Sequence, residues 1–221
     1  MSLFHYPNGR LLLYLLLSPY PTSKTICSPR RLLKIKSVGT YYTCRSQKGE
    51  DARLYEGVKA LSDFCCAIHV NVPTGKDSLS LTQQYPNGEK IIAPGTVIVS
   101  AGGEVSDVKK VVSPVLVNDK NSSLYHIDFS FDEQRLGGSA FAQSLGKVGS
   151  DVPTVKNPEY FVDCFNAVQE LINRGWVMAG HDISAGGLIT TLLEMTFANV
   201  ECPPAFETVL TMRVLPLAST L

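Results

Sequence analysis

The sequence predicts a mixed architecture, α/β or α+β, and three observations carry that prediction. Residues 50–68 hold an apolar stripe at helical spacing, residues 96–100 read T-V-I-V-S, and strand-like and helix-like segments alternate from residue 124 onward. The composition agrees. With 221 residues, 44% hydrophobic and 18% charged, the chain can bury a core and is not disordered throughout. Its 20 basic and 20 acidic side chains cancel, which argues against a general polyanion binder. No basic stripe interleaved with aromatics marks a nucleic-acid surface.

The neutrality joins unlike parts. Residues 1–49 carry eight basic side chains and no acidic one, whereas the remainder carries 12 basic and 20 acidic. After Arg10, Leu11 to Leu17 form an apolar run of seven. That is short of the ~20 apolar residues of a membrane span, and no small-residue cleavage site follows it. The stretch has no clean helical or strand period. Residues 1–43 are therefore expected to be a basic leader, either targeting-like or translated out of frame.

Glu50 to Ile68 is predicted as a helix, with Leu54, Val58, Leu61, Cys65 and Ile68 on one face and acidic Glu50 and Asp51 at its start. Ile68 to Val72 is predicted as a strand ended by Pro73-Thr74-Gly75. Tyr85-Pro86-Asn87-Gly88 is a turn, Asn-Gly being the strong signal. Thr96 to Ser100 is a β-branched strand. Pro114 and the polar run 118–123 mark a domain boundary. Leu124 to Phe129 is a strand, and Gly137-Gly138-Ser139 opens a helix through Leu145. Asn157 to Asn173 is a helix with Asn157 as N-cap, Pro158 in the first turn and Gly175 closing it. Trp176 to Ala179 is a buried strand, His181 to Gly187 a loop, and Leu188 to Asn199 an apolar helix. None of the six cysteines forms a C-x-x-C pair, so free thiols in a reducing cytosol are expected.

Three segments have chemistry to offer. His181-Asp182-Ile183-Ser184-Ala185-Gly186-Gly187 leads from a strand into a helix, where backbone N–H groups face an incoming anion. Gly186 and Gly187 let a phosphate approach the backbone, Asp182 can hold Mg²⁺, and Ser184 can donate to a phosphate oxygen. The plainer alternative is a helix start capped by Asp182 or Ser184. Gly75-Lys76-Asp77-Ser78 offers Lys76 and Asp77 to a nucleotide phosphate and its metal; the plainer alternative is a polar turn with a Lys–Asp pair. Leu136-Gly137-Gly138-Ser139-Ala140 repeats the glycine-pair logic, but close packing of backbone on backbone would require the same glycines. His69 and His126 are read as strand histidines rather than ligands.

Five segments occur here in the order and spacing of one family. They are E-D-A-R-L-Y-E-G-V-K-A-L (50–61), V-P-T-G-K-D-S-L-S (72–80), A-P-G-T-V-I-V-S-A (93–101), L-G-G-S-A-F-A-Q (136–143) and A-G-H-D-I-S-A-G-G-L-I-T-T-L-L-E-M-T-F-A (179–198). Together they resemble phosphoribosylformylglycinamidine synthase, the large glutamine-dependent ligase of purine biosynthesis, in wording closest to bacterial forms. The resemblance covers about residues 44–201. It implies an α+β fold related to aminoimidazole ribonucleotide synthetase, with residues 44–112 the end of an A-type domain and 113–201 the start of a B-type domain. It implies a cytoplasmic enzyme that uses ATP, Mg²⁺ and glutamine-derived ammonia to convert formylglycinamide ribonucleotide to the formylglycinamidine. The family's H-D-x-S-x-G-G motif falls on His181 to Gly187, which implies Asp182 as a Mg²⁺ ligand and Ser184, Gly186 and Gly187 at ATP. Lys76 and Asp77 stay possible second phosphate contacts. The family's other Mg²⁺ ligands, its glycine-rich ATP loop and its glutaminase domain lie outside the match, so no catalytic residue is assigned. Residues 202–221 are expected to be an unmatched tail. The expectation is an incomplete synthetase core, inactive alone, with no nucleic-acid or membrane partner. The alternative is a non-catalytic nucleotide-binding or structural remnant.

Overall fold

A computed structural model describes residues 12–17, 34–41, 47–102, 107–117, 119 and 122–198. Two strands precede the first helix: β1 (Leu12–Leu17) and β2 (Lys34–Tyr41). Both lie in the leader expected to stand apart, and both are central strands of three-stranded sheets. A strand covered on both faces need not show the alternation of a half-exposed one. The described residues divide into two compact units, one holding β2 through residue 102 and the other holding β1 and the chain from residue 107. The division precedes the boundary expected near Pro114. Backbone bonds explain this: the Gly180 N–H donates to the Ser113 carbonyl and the Leu116 N–H to Met195, which ties residues 113–116 to the second unit.

In the first unit, α1 (Glu50–Ala67) starts after Gly49 with Glu50 and Asp51 in its first turn. Coverage of its predicted stripe deepens toward the C-terminus: Cys65 and Ile68 are buried, Leu61 packs with Val70, Val72, Val97 and Val99 around Cys65, Leu54 is half-buried and Val58 is exposed. Burial, with the neighbouring Cys66 second, pushes the Cys65 thiol pKa up. The strand expected at 68–72 does not form. His69 takes a left-handed φ of 57°, its N–H bonds to Cys66, and the Val70 N–H reaches back to Cys65. This pair of reversed bonds closes the helix as a glycine normally would, so the chain turns where a strand would have run straight. The next strand is the polar β3 (Gly75–Ser78), parallel to β2, with β4 (Thr82–Gln84) and β5 (Lys90–Ile92) forming a hairpin across the predicted Asn87-Gly88 turn. The longer β6 (Thr96–Gly102) lies antiparallel on the other edge of β2.

In the second unit, β7 (Ser123–Asp128) pairs antiparallel with β1. The short α2 (Ala140–Ser144) is capped by the Ser139 side chain, which accepts from the Ala142 N–H. Then α3 (Pro158–Asn173) follows, with Asn157 capping as predicted: its side chain accepts from the Tyr160 N–H at 3.1 Å. Gly175 at φ 70° closes α3 through bonds to Ile172 and, from the Trp176 N–H, to Leu171. Strand β8 (Val177–Asp182) pairs antiparallel with β1, and α4 (Gly187–Phe197) ends the described chain. Strand side chains alternate between faces, so Leu124 and Ile127 of β7 point to opposite sides. Leu124 joins Leu192 and Met195 of α4, together with Leu116 and Ala179. Ile127 and Phe129 join Cys164 and Val168 of α3. One helix thus covers each face of the sheet, and antiparallel pairing dominates, as an α+β protein requires. No helix among the described residues is long and apolar enough to cross a membrane.

Candidate functional site

The segment His181 to Gly187 is placed by its flanks. Strand β8 runs two residues beyond the loop boundary expected from sequence, because His181 and Asp182 still pair with Tyr14 and Leu13 of β1. The chain then has to reverse into α4. It does so through a turn in which the Gly187 N–H donates to the Ser184 carbonyl at 3.0 Å. Gly186 and Gly187 both adopt left-handed φ, 89° and 73°. At Gly186 a Cβ would lie 2.8 Å from the Cβ of Thr190, whose hydroxyl donates to the Gly186 carbonyl at 3.2 Å. The glycine pair is therefore a requirement of the backbone, which also leaves it bare toward an approaching anion. Ser184 is half-buried at the mouth of this turn.

Asp182 sits at the strand end with its side chain 46% exposed. Its carbonyl accepts from the Thr191 hydroxyl at 3.3 Å and faces the His181 Nδ1 at 2.7 Å. The other ring nitrogen of His181 lies 3.1 Å from the Glu194 Oε2. Glu194 and Thr191 were not singled out in the sequence, although helical spacing from Gly187 turns both toward β8. Among the described residues, no group of three His, Cys, Asp or Glu side chains could hold a metal. One accessible carboxylate beside a glycine backbone still fits Mg²⁺, which binds through one or two carboxylates plus phosphate and water oxygens.

Lys76 and Asp77 belong to the first unit, and Asp182, Ser184, Gly186 and Gly187 to the second. Both first-unit residues are exposed on β3. The Asp77 carboxylate accepts from the Thr40 hydroxyl on the neighbouring strand. The Lys76 ammonium donates to the Ser78 Oγ at 3.0 Å and to the Asp77 carbonyl, in place of a Lys–Asp ion pair. The third glycine pair is structural. The Gly137 N–H donates to Asp151 at 2.9 Å and the Gly138 N–H to Val148, while a Cβ on Gly137 would lie 2.6 Å from the Asp151 carbonyl carbon. Those N–H groups are committed to protein oxygens rather than to a phosphate. His69 is a helix terminator rather than a strand histidine, whereas His126 lies in β7 as predicted.

Comparison with known proteins places these units. Residues 24–104 match the family model described as FGAR-AT PurM_N-like domain, and residues 127–212 match AIR synthase related protein, C-terminal domain. Both matches reach past the limits read from sequence, into residues 24–43 at one end and 202–212 at the other. A protein of Arabidopsis thaliana named "Probable phosphoribosylformylglycinamidine synthase, chloroplastic/mitochondrial" is 38% identical over 169 residues, which is 76% of this chain and 12% of the relative. The chain thus spans about an eighth of that relative's length. With an N-type and a C-type synthetase match in succession and a relative of the same name spanning 76% of it, the chain belongs to the phosphoribosylformylglycinamidine synthase family.

Proposed function

We propose that this chain forms part of the synthetase core of a ligase that converts formylglycinamide ribonucleotide to formylglycinamidine ribonucleotide, using ATP, Mg²⁺ and ammonia released from glutamine elsewhere in the enzyme. Within that reading, the first unit is the end of an A-type domain and the second the start of a B-type domain. The observation that carries it is the passage from β8 through two left-handed glycines into α4, with Asp182 at its lip. Asp182 would hold Mg²⁺, which neutralises phosphate charge when bound. Ser184 would donate its hydroxyl to a phosphate oxygen, and the backbone at Gly186 and Gly187 would receive the phosphate against the positive end of α4. Lys76 and Asp77, exposed on β3, would be second phosphate contacts. Buried Cys65 and Cys164 are free thiols, which suits a reducing, cytoplasmic setting.

Within this reading Asp182 is the one described residue assigned to Mg²⁺, and none is assigned to the transfer of ammonia. We therefore expect the chain by itself to bind Mg²⁺-nucleotide without amidotransfer. The purified chain with ATP, Mg²⁺, ammonia and formylglycinamide ribonucleotide should release no ADP above background. Mg²⁺-ADP should raise its melting midpoint, by a stabilisation of about 1.4 kcal/mol at tenfold excess over Kd. Asp182→Asn should remove the Mg²⁺-dependent part. A wild-type chain whose melting ignores Mg²⁺-ADP would refute the nucleotide site, and measurable turnover would refute the inactivity.

A further inference from the structure

We infer that His181 and Glu194 are positioning residues that set the Asp182 carboxylate for its cation, an inference that rests on the nucleotide-site reading above. Asp182 ends β8, and its side chain is 46% exposed. What restrains it comes from the side. The His181 Nδ1 lies 2.7 Å from the Asp182 carbonyl and 3.5 Å from its Oδ1, so one ring edge spans main chain and carboxylate together. The opposite ring nitrogen meets Glu194 Oε2 at 3.1 Å, and the ring is held at 18% exposure. Glu194 belongs to α4, and its neighbour Thr191, at 1% exposure, donates to the same Asp182 carbonyl. Thr191 and Glu194 are three apart and share a helix face. Between them they clamp the strand end from the helix whose first turn would receive the phosphate. Carboxylate–histidine chains of this kind orient groups that touch a metal, and removing an outer partner typically costs 10–100-fold in metal affinity. Neither His181 nor Glu194 needs to touch the cation.

The test uses the full chain and a fluorescent N-methylanthraniloyl ADP, titrated with and without Mg²⁺, together with a melting curve of each variant. His181→Ala and Glu194→Ala should each lose about tenfold of the Mg²⁺-dependent tightening. Their metal-free nucleotide affinity should stay within about twofold of wild type, a pattern that a general loss of structure would not give. Glu194→Gln keeps an oxygen acceptor for the ring and should retain most of the tightening. It serves as the folded control if the alanine variants melt early. In a double-mutant cycle, adding His181→Ala to Asp182→Asn should cost nothing further, because the histidine acts through that carboxylate. Equal losses with and without Mg²⁺, additive losses in the cycle, or full tightening in both alanine variants would overturn the inference while wild-type Mg²⁺ dependence stands. No Mg²⁺ dependence in the wild-type chain would overturn the nucleotide-site reading and this inference with it.

Discussion

Gly186→Ala is the sharpest stability test of the turn that builds the site. The backbone at Gly186 has φ 89°, where an L side chain costs about 1–2 kcal/mol. The new methyl would also sit 2.8 Å from the Thr190 Cβ, closer than carbon atoms approach, so Thr190 must shift. That shift breaks the bond from its hydroxyl to the Gly186 carbonyl, worth about 0.5–1.5 kcal/mol. The total is about 1.5–3.5 kcal/mol. Gly187→Ala is the internal control: φ is 73°, but nothing lies within 4 Å of its Cβ, so only the backbone cost of about 1–2 kcal/mol applies. Urea unfolding followed by fluorescence of the single tryptophan, Trp176, reads the second unit directly. With a slope of about 2 kcal/mol per molar, Gly186→Ala should lower the midpoint by about 0.8–1.8 M, and Gly187→Ala by about 0.5–1 M. Equal midpoints for the two variants would refute the steric part of the reasoning. A wild-type midpoint for Gly186→Ala would refute all of it.

Three further outcomes follow from the fold. His69→Gly should stabilise the chain by about 0.5–1 kcal/mol and His69→Val should destabilise it, read as opposite shifts of the helical melting midpoint by circular dichroism, because residue 69 holds a left-handed φ at the end of α1. Asn157→Ala should cost about 1 kcal/mol in the same assay through loss of the cap to the Tyr160 N–H, with Asn157→Asp retaining most of it. Burial, with the hydrogen bond to Cys164 second, pushes the Tyr160 phenol from 10.0 up to about 12. Because the folded value is the higher one, its stabilisation is complete below about pH 10 and is lost as pH rises toward 12. Tyr160→Phe should therefore flatten the alkaline fall in stability and remove one late-titrating phenol from the absorbance at 295 nm.

What the sequence made legible was local. The cap at Asn157, the closing glycine at 175, the Asn87-Gly88 hairpin and the stripe of α1 each follow from neighbours a few residues apart. The strand expected at 68–72 failed because His69 reverses the chain, after which Val70 and Val72 fold back against Cys65 of α1. Strand β3 was missed for the converse reason: G-K-D-S is polar and earns its place only by pairing with β2, which lies more than thirty residues earlier. The leader's strands are likewise set by partners over a hundred residues away in the case of β1. At the site, Asp182, Ser184 and the two glycines stood out because glycine and acid at a helix start have a chemical meaning. Glu194 and Thr191 did not, since each is a polar residue in an apolar helix, and only the packing of α4 on β8 brings Glu194 to His181 and Thr191 to Asp182.

If Asp182, at the end of β8, holds Mg²⁺ for a nucleotide phosphate received at the start of α4, binding of the nucleotide must depend on Mg²⁺ through that carboxylate. Titration calorimetry of the full chain with ADP, in Mg²⁺ and in EDTA, tests it most directly. Binding should be saturable, strengthened by Mg²⁺ in the wild-type chain and unaffected by Mg²⁺ in Asp182→Asn. The same Mg²⁺ response in both proteins would contradict it.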